Sequence, residues 1–320
     1  MRSTVFIPKP APWLPFRDMA VLDAIRDGDY EKRAKETFEH PEFKLNVVMD
    51  AISYFVTDLF QRIRLSDINN EKLTVVLPSP EVAAYMSLAE VLNKYQVSAR
   101  NVHVFFLSEY ANENNEVAPA DSTVSRAYYF NKYCFERIQP DLRMPKDQIH
   151  YWTTDNVNQY SNLIDTCGDG GADVIYTSVN WVGGIAGIDP TDDFKADDME
   201  TFLTFGSRVT TPLPETISAD SMRGMFGCSG DIGAVPPKIA TIGPRDIAHA
   251  KDRVEVEFTA PVGATTSWQR YGSRMMFFGP ITPAIPGTML RLFKGTAFVD
   301  KTIAVPLQYD SDWDPLQENQ

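Results

Sequence analysis

Apolar positions along the chain cluster into short continuous runs separated by longer amphipathic stretches. Leu73-Thr74-Val75-Val76-Leu77, Val102-His103-Val104-Phe105-Phe106-Leu107 and Val174-Ile175-Tyr176 are rich in β-formers, the pattern of strands buried on both faces. Residues 149–152, 238–242, 254–258 and 297–300 read as further strands. Val48, Ile52, Phe55, Leu59 and Ile63 recur at helical spacing, with Ala51, Val56 and Phe60 widening the stripe, which predicts a well-buried helix over 45–64. Pro78-Ser79-Pro80-Glu81 opens a second helix: Ser79 suits the N-cap, Pro80 the first helical position, and Glu81 complements the dipole. Helices are also expected over 125–138, 156–166, 246–251 and 265–278, with a turn and short helix over 280–290. The strand–helix–strand passage from 73 to 107 makes a βαβ unit. Strands alternate with helices from 45 to 300, which predicts one α/β domain with a mainly parallel sheet.

The ends differ from this body. Residues 1–40 form an arm in which Pro8, Pro10, Pro12 and Pro15 lie among Phe6, Trp13 and Phe16, with a charged stretch over 21–40 that carries no core of its own. The domain is expected over 41–306, and 307–320 is an acidic tail.

Charge and composition narrow the chemistry. The 320 residues carry a net charge of −13, which repels a phosphate backbone, so no nucleic-acid partner is expected. No apolar run approaches the ~20 residues that span a bilayer, and the apolar start at Val5-Phe6 is too short for a signal peptide. A cytoplasmic protein without a membrane partner is the expectation. Cys134, Cys167 and Cys228 make no disulfide framework. His40, His103, His150 and His249 show no metal-ligand spacing, so neither a structural zinc nor another metal is expected. Asp192, Asp193, Asp197 and Asp198 read as a solvated acidic face. Glycines 224, 227, 230 and 233 match no phosphate loop, and no cofactor is expected.

The stretch 172–190 is the leading candidate site. A buried strand feeds a loop holding Gly183, Gly184 and Gly187 and stops at Asp189-Pro190. Open α/β sheets place ligands at the carboxyl ends of their strands, and glycines admit a close approach of backbone amides.

The order of Leu77-Pro78-Ser79, Phe106-Leu107-Ser108-Glu109-Tyr110, the loop 179–190, Pro237-Lys238-Ile239-Ala240-Thr241-Ile242-Gly243 and the segment 280–290 resembles the glucosamine-6-phosphate deaminase/isomerase family, with its 6-phosphogluconolactonase relatives. The resemblance covers roughly 45–300 and is carried by segment order. It implies a single modified Rossmann-type three-layer domain, a sugar or sugar-phosphate ligand, and a homo-oligomer. The family's Gly-rich phosphate loop corresponds here to Pro78-Ser79-Pro80-Glu81, where Pro80 removes an amide donor and Glu81 repels an anion. Its Asp-Glu-Tyr corresponds to Ser108-Glu109-Tyr110, with serine in place of the base. In the frame Gly-x-Gly-x-Asp-Gly-His-x-Ala-x-x-x-Pro, Val182 stands at the catalytic Asp and Gly184 at the His; Asp189 keeps an acid before Pro190.

Two functional readings follow. In one, a divergent sugar-phosphate isomerase or deaminase uses Glu109 as acid/base, Asp189 as second carboxylate and Ser108 as a hydrogen-bonding partner, at an enediol-forming carbon. In the other, a non-catalytic sugar or sugar-phosphate binding or regulatory protein occupies the same scaffold. Ser79, Asn180, Trp181, Gly183, Gly184, Arg223 and Arg270 are the expected ligand-binding residues in either case. The structural alternatives are a helix-terminal role for Glu109 and an N-cap role for Asp189. Gly227-Cys228-Ser229-Gly230 is a weak serine-hydrolase candidate without a placed histidine.

Overall fold

Nine strands form two sheets among the residues that the computed structural model describes, 9–79, 81–222, 224–258 and 269–307. They are β1 (Phe43–Val48), β2 (Leu73–Leu77), β3 (Val102–Phe106), β4 (Ser108–Ala111), β5 (Val174–Thr177), β6 (Arg208–Thr210), β7 (Lys238–Thr241), β8 (Arg253–Glu257) and β9 (Gly295–Asp300). Six lie in the order β1-β9-β8-β5-β2-β3, and every pairing there is parallel. The mainly parallel α/β architecture read from the apolar runs is therefore present. β2, β5 and β8 are buried at every position, so both faces of the sheet need helical cover. The helix Ala51–Asn69 packs on the helix Val82–Tyr95 and on β8 and β9. Its Phe55 meets Tyr176 and Tyr85 edge-on, with ring centroids 5.0 and 6.2 Å away. Burying such a ring contributes about 2–3 kcal/mol.

Several expected boundaries move. Residues 43–48 are an edge strand, not the start of a helix, because Phe43 and Leu45 alternate with Lys44 and Asn46 and Asp50 interrupts the helical stripe. Asp50 then caps the helix, its Oδ1 accepting from the amides of Ile52 and Ser53. The next helix begins at Val82 with Glu81 in the cap position, so Ser79 lies ahead of it rather than capping it. Pro80 is outside the described residues. Residues 149–152 make only a single bridge, between Ile149 and Val104. The expected helix over 125–138 is Arg126–Tyr133 followed by a 3-10 turn, and that over 156–166 is Tyr160–Cys167 after one. The stretch 21–40 does carry core: the helices Met19–Arg26 and Tyr30–Arg33 bury Leu22, Ile25 and Tyr30, and Phe38 follows. Leu22 and Ile25 pack with Met275 of the helix Gln269–Phe278. The N-terminal part of the helix expected over 265–278, residues 1–8 of the arm, and the tail from 308 lie outside the described residues.

A second, three-stranded antiparallel sheet, β4-β7-β6, adds to the parallel one that the apolar runs predict. The chain leaves the parallel sheet at Leu107, whose amide donates to the Leu77 carbonyl at 2.9 Å, and enters β4 at the next residue. The small sheet thus adjoins the carboxyl end of β3. Among the described residues no helix is long and apolar enough to cross a membrane.

Candidate functional site

β2 is flanked by β3 and β5, and β5 by β2 and β8, so the chain's connections diverge between β2 and β5. That crevice is the topological switch point of the sheet, where open α/β folds bind ligands. A cavity of about 70 Å³ lies there. Pro78 and Ser79 line it after β2, Leu107 and Ser108 after β3, and Thr177 at the end of β5 with Ser178 and Asn180 after it. Ala186, Gly187, Arg126, Thr216, Asp220, Glu81, Val256 and Phe258 also contribute to the wall.

Much of the polar wall falls into two hydrogen-bonded groups, one around Arg126 and one around Asn180. Arg126 opens the helix Arg126–Tyr133 and is 6% exposed. Its Nη2 pairs with Asp220 Oδ2 at 3.1 Å, its Nη1 donates to Ser108 Oγ, and its guanidinium lies 4.4 Å over the Tyr110 ring. The Tyr110 hydroxyl donates to the same Asp220 oxygen at 2.8 Å. Burial, and then the Asp220 charge, raise the Tyr110 pKa well beyond the usual phenol range. Asn180 Nδ2 donates to Thr216 Oγ1 at 2.5 Å and to Asp189 Oδ1 at 3.2 Å. Two buried polar atoms on wall residues, Arg126 Nε and Asn180 Oδ1, have no hydrogen-bond partner among the described residues. One is a donor and the other an acceptor.

Glu109 does not line the cavity. It is 2% exposed and sits at the N-terminus of the helix Arg126–Tyr133. Its carboxylate accepts from the amides of Tyr110, Arg126 and Ala127 at 2.9, 3.0 and 3.0 Å, and from Ser125 Oγ at 2.8 Å. Burial raises its pKa against the lowering effect of those four donors. Asp189 is likewise off the cavity wall and fully buried. It accepts from the Leu213 amide at 2.9 Å and Thr216 Oγ1 at 2.6 Å, at the start of the helix Pro214–Ser221. Burial pushes its pKa up to about 6. Both carboxylates thus anchor helix N-termini, and each follows a different strand end.

The glycine loop is packed rather than open. Val182, Ile185 and Ile188 are buried, and Asn180 and Gly184 are joined by a backbone hydrogen bond of 2.9 Å. Gly183 has φ 75° and rests on Ile285. A Cβ on Gly184 would overlap the Asp189 carboxylate. A side chain of any size at 184 is therefore incompatible with this anchor. Trp181 is 37% exposed; it, Gly183 and Gly184 are not on the cavity wall. Of the expected ligand-binding residues, the structure brings Ser79 and Asn180 to the wall, together with Ser108. Arg270 instead donates to the carbonyls of Val305 and Pro306. Arg223 lies outside the described residues. Ser229 sits in a surface turn, accepting from the Asp231 amide, between Gly227 and Gly230 with φ of 67° and 71°.

Arg126, Thr216 and Asp220 carry no motif and come from helices distant in the chain. The available cue is an acid ending a strand, Glu109, that matches the bare N-terminus of the helix predicted to follow.

No family model and no curated protein sequence matches the chain. Among solved structures it is similar to a monomeric glucosamine-6-phosphate deaminase, at 20% identity and a TM-score of 0.61, over 82% of this chain and 98% of that one. A 6-phosphogluconolactonase from Trypanosoma cruzi aligns at 16% identity and a TM-score of 0.57, over 86% and 99% of the two chains. One from Thermotoga maritima aligns at 17% and 0.54, over 81% and 100%. At such identities the likeness is one of fold, and the fold implied by the order of the sequence segments is the one found.

Proposed function

We propose that the cavity between β2 and β5 binds a small, neutral, hydroxyl-rich ligand, a sugar or sugar derivative, and that the chain does so without moving a carbon-bound proton. The observation that carries this reading is the engagement of Glu109 and Asp189 at helix N-termini, away from the cavity wall. A general base must reach the proton it takes, and these two groups face backbone amides instead. What the wall offers is recognition chemistry: the hydroxyls of Ser79, Ser108, Thr177 and Thr216, the amide of Asn180, and the Arg126 guanidinium.

Charge argues against a phosphate at this wall. Among the described residues its charged groups are Arg126, Asp220 and Glu81, and Arg126 is already paired with Asp220. A phosphate dianion would meet two carboxylates and one compensated cation. The solved neighbours are named for phosphorylated sugars, glucosamine 6-phosphate and 6-phosphogluconolactone, so a phosphosugar is the competing ligand and its isomerase or deaminase chemistry the competing function.

A thermal-shift and calorimetric screen separates the two. Neutral monosaccharides and their phosphates are compared on the same protein, with Asn180→Ala and Ser108→Ala as site variants. A neutral sugar should raise the melting temperature of the wild type and not of the variants. Turnover of glucosamine 6-phosphate, or binding of a phosphosugar in clear preference to its unphosphorylated parent, would overturn the reading.

A further inference from the structure

The histidines show no metal-ligand spacing in sequence, yet the fold gathers two of them with a cysteine. His103 Nδ1 and His150 Nε2 are 3.2 Å apart although 47 residues separate them. Cys167 Sγ joins them, all three donor atoms lying within 4.8 Å of one another. This is the one such group among the described residues. From these positions we infer a binding site for one Zn(II) ion at the amino-terminal side of the parallel sheet, held by His103, His150 and Cys167.

The two rings now share a hydrogen bond edge to edge, with centroids 5.5 Å apart and planes 14° from parallel, so each must swing by roughly 35° to turn its lone pair onto an ion; the separations suit one. Zn–N bonds of about 2.0–2.1 Å at a tetrahedral angle put two ligating nitrogens roughly 3.3 Å apart, close to the distance found between these rings. With Zn–S near 2.3 Å the corresponding N···S separation is roughly 3.6 Å, so Sγ need move inward by about 1.2 Å at most. Cys167 is the last residue of its helix, where that adjustment is least constrained. Two imidazoles and a thiolate form a borderline-soft donor set that selects Zn(II) over Mg(II) or Ca(II). The fourth position is left to water.

The surroundings hold the ligands in place. The His150 ring stacks on Phe105 at 4.2 Å, and its backbone amide donates to the Val104 carbonyl at 2.8 Å. His103 lies in β3 opposite Thr74 of β2. Thr74 Oγ1 lies 3.5 Å from Cys167 Sγ, an outer-shell contact of the kind that steadies a thiolate. All three residues are half-buried, which gives an ion access from solvent. His103 and Thr74 are the second residues of β3 and β2, whereas the sugar-binding cavity lies beyond the carboxyl ends of those strands. The site is therefore separate from the cavity, and the ion would tie β3, the segment after Ile149 and the end of the helix Tyr160–Cys167 together. Binding would release the Cys167 thiol proton to solvent and involves no change of oxidation state.

The test uses the full chain stripped with a chelator, then titrated with Zn(II) by calorimetry and with Co(II) by absorption. One equivalent should bind, and Co(II) should show tetrahedral ligand-field bands with a thiolate charge-transfer band. Cys167→Ser should abolish that charge-transfer band. His103→Gln and His150→Gln should each weaken Zn(II) by about 100-fold or more, the upper end of what losing even an outer-shell partner costs. Cys228→Ser and His249→Gln should change nothing. To keep the test independent of how the variants fold, Zn(II) is also tested on the wild type for slowing the alkylation of Cys167 while leaving Cys228 unaffected. Absence of a saturable single equivalent, binding that survives all three substitutions, or an unprotected Cys167 would overturn the site.

Discussion

A carboxylate offers about four lone-pair positions, and Glu109 fills them with three backbone amides and the Ser125 hydroxyl. Its role is then measurable as stability. Glu109→Ala leaves four buried donors without an acceptor, and unsatisfied donors cost about 1–3 kcal/mol each before relaxation. Partial rehydration of the helix terminus lowers the sum, so a net loss of about 3–5 kcal/mol is expected in urea unfolding at neutral pH. Sugar affinity of the folded fraction should stay near wild type, since the side chain is off the cavity wall. A variant as stable as the wild type but unable to bind would return Glu109 to the site. Asn180 makes the contrasting case. It lines the cavity and leaves Oδ1 without a partner, so its substitution should affect binding first.

Elements were legible where local and global signals agree. β2, β3 and β5 are continuous β-branched and aromatic runs, and they are found where they were read. β1 was hidden because Val48, Ala51 and Ile52 extend the stripe of the following helix backwards, and only Asp50 marks the break. β4 was hidden because it continues β3 with a single residue between them, so a change of sheet reads as one long strand. The same holds at the site. Ser79, Ser108 and Asn180 sit next to recognisable strand ends, while Arg126 and Asp220 reach the cavity only through tertiary packing. The break at Asp50 gives an element-level prediction. Its Oδ1 accepts from Ile52 and Ser53 at 3.1 and 3.3 Å, and the Ala51 amide donates to Asp300 at 2.6 Å. Asp50→Ala should cost about 1 kcal/mol of stability and Asp50→Ser much less, because serine also caps. Equal losses in the two variants, read from denaturation midpoints, would show that the aspartate acts through charge alone.

Across the whole molecule, Glu109, Asp189, Asp246, Glu255 and Glu257 are shifted in one direction. Burial raises Asp189 and Asp246 to about 6, from an ordinary value of 3.8. Glu255 and Glu257, two residues apart on β8 and fully buried, are both raised, by burial first and for Glu257 then by the charge of Glu255. A carboxyl whose folded-state pKa is raised holds its proton more tightly in the fold than in the unfolded chain. Its contribution is complete below about pH 4 and is lost as pH rises through the folded value. For Asp189 and Asp246 the loss falls between about pH 4 and 6, up to about 3 kcal/mol each; the glutamate pair extends it toward neutrality. Asp169 and Asp198 are shifted the other way, but both are solvent-exposed, so their opposing slope is small. The net charge of −13 at pH 7 adds self-repulsion of the same sign, since it too is relieved by protonation. The melting temperature should therefore fall from pH 5 to pH 8. Salt distinguishes the two sources, because it screens charges across the surface and leaves buried desolvation untouched. At high salt the slope should persist in the wild type and flatten in Glu257→Gln, which removes a titrating group from the pair. A slope that vanishes with salt would assign the pH dependence to surface charge and leave the buried pair without a measurable part in it.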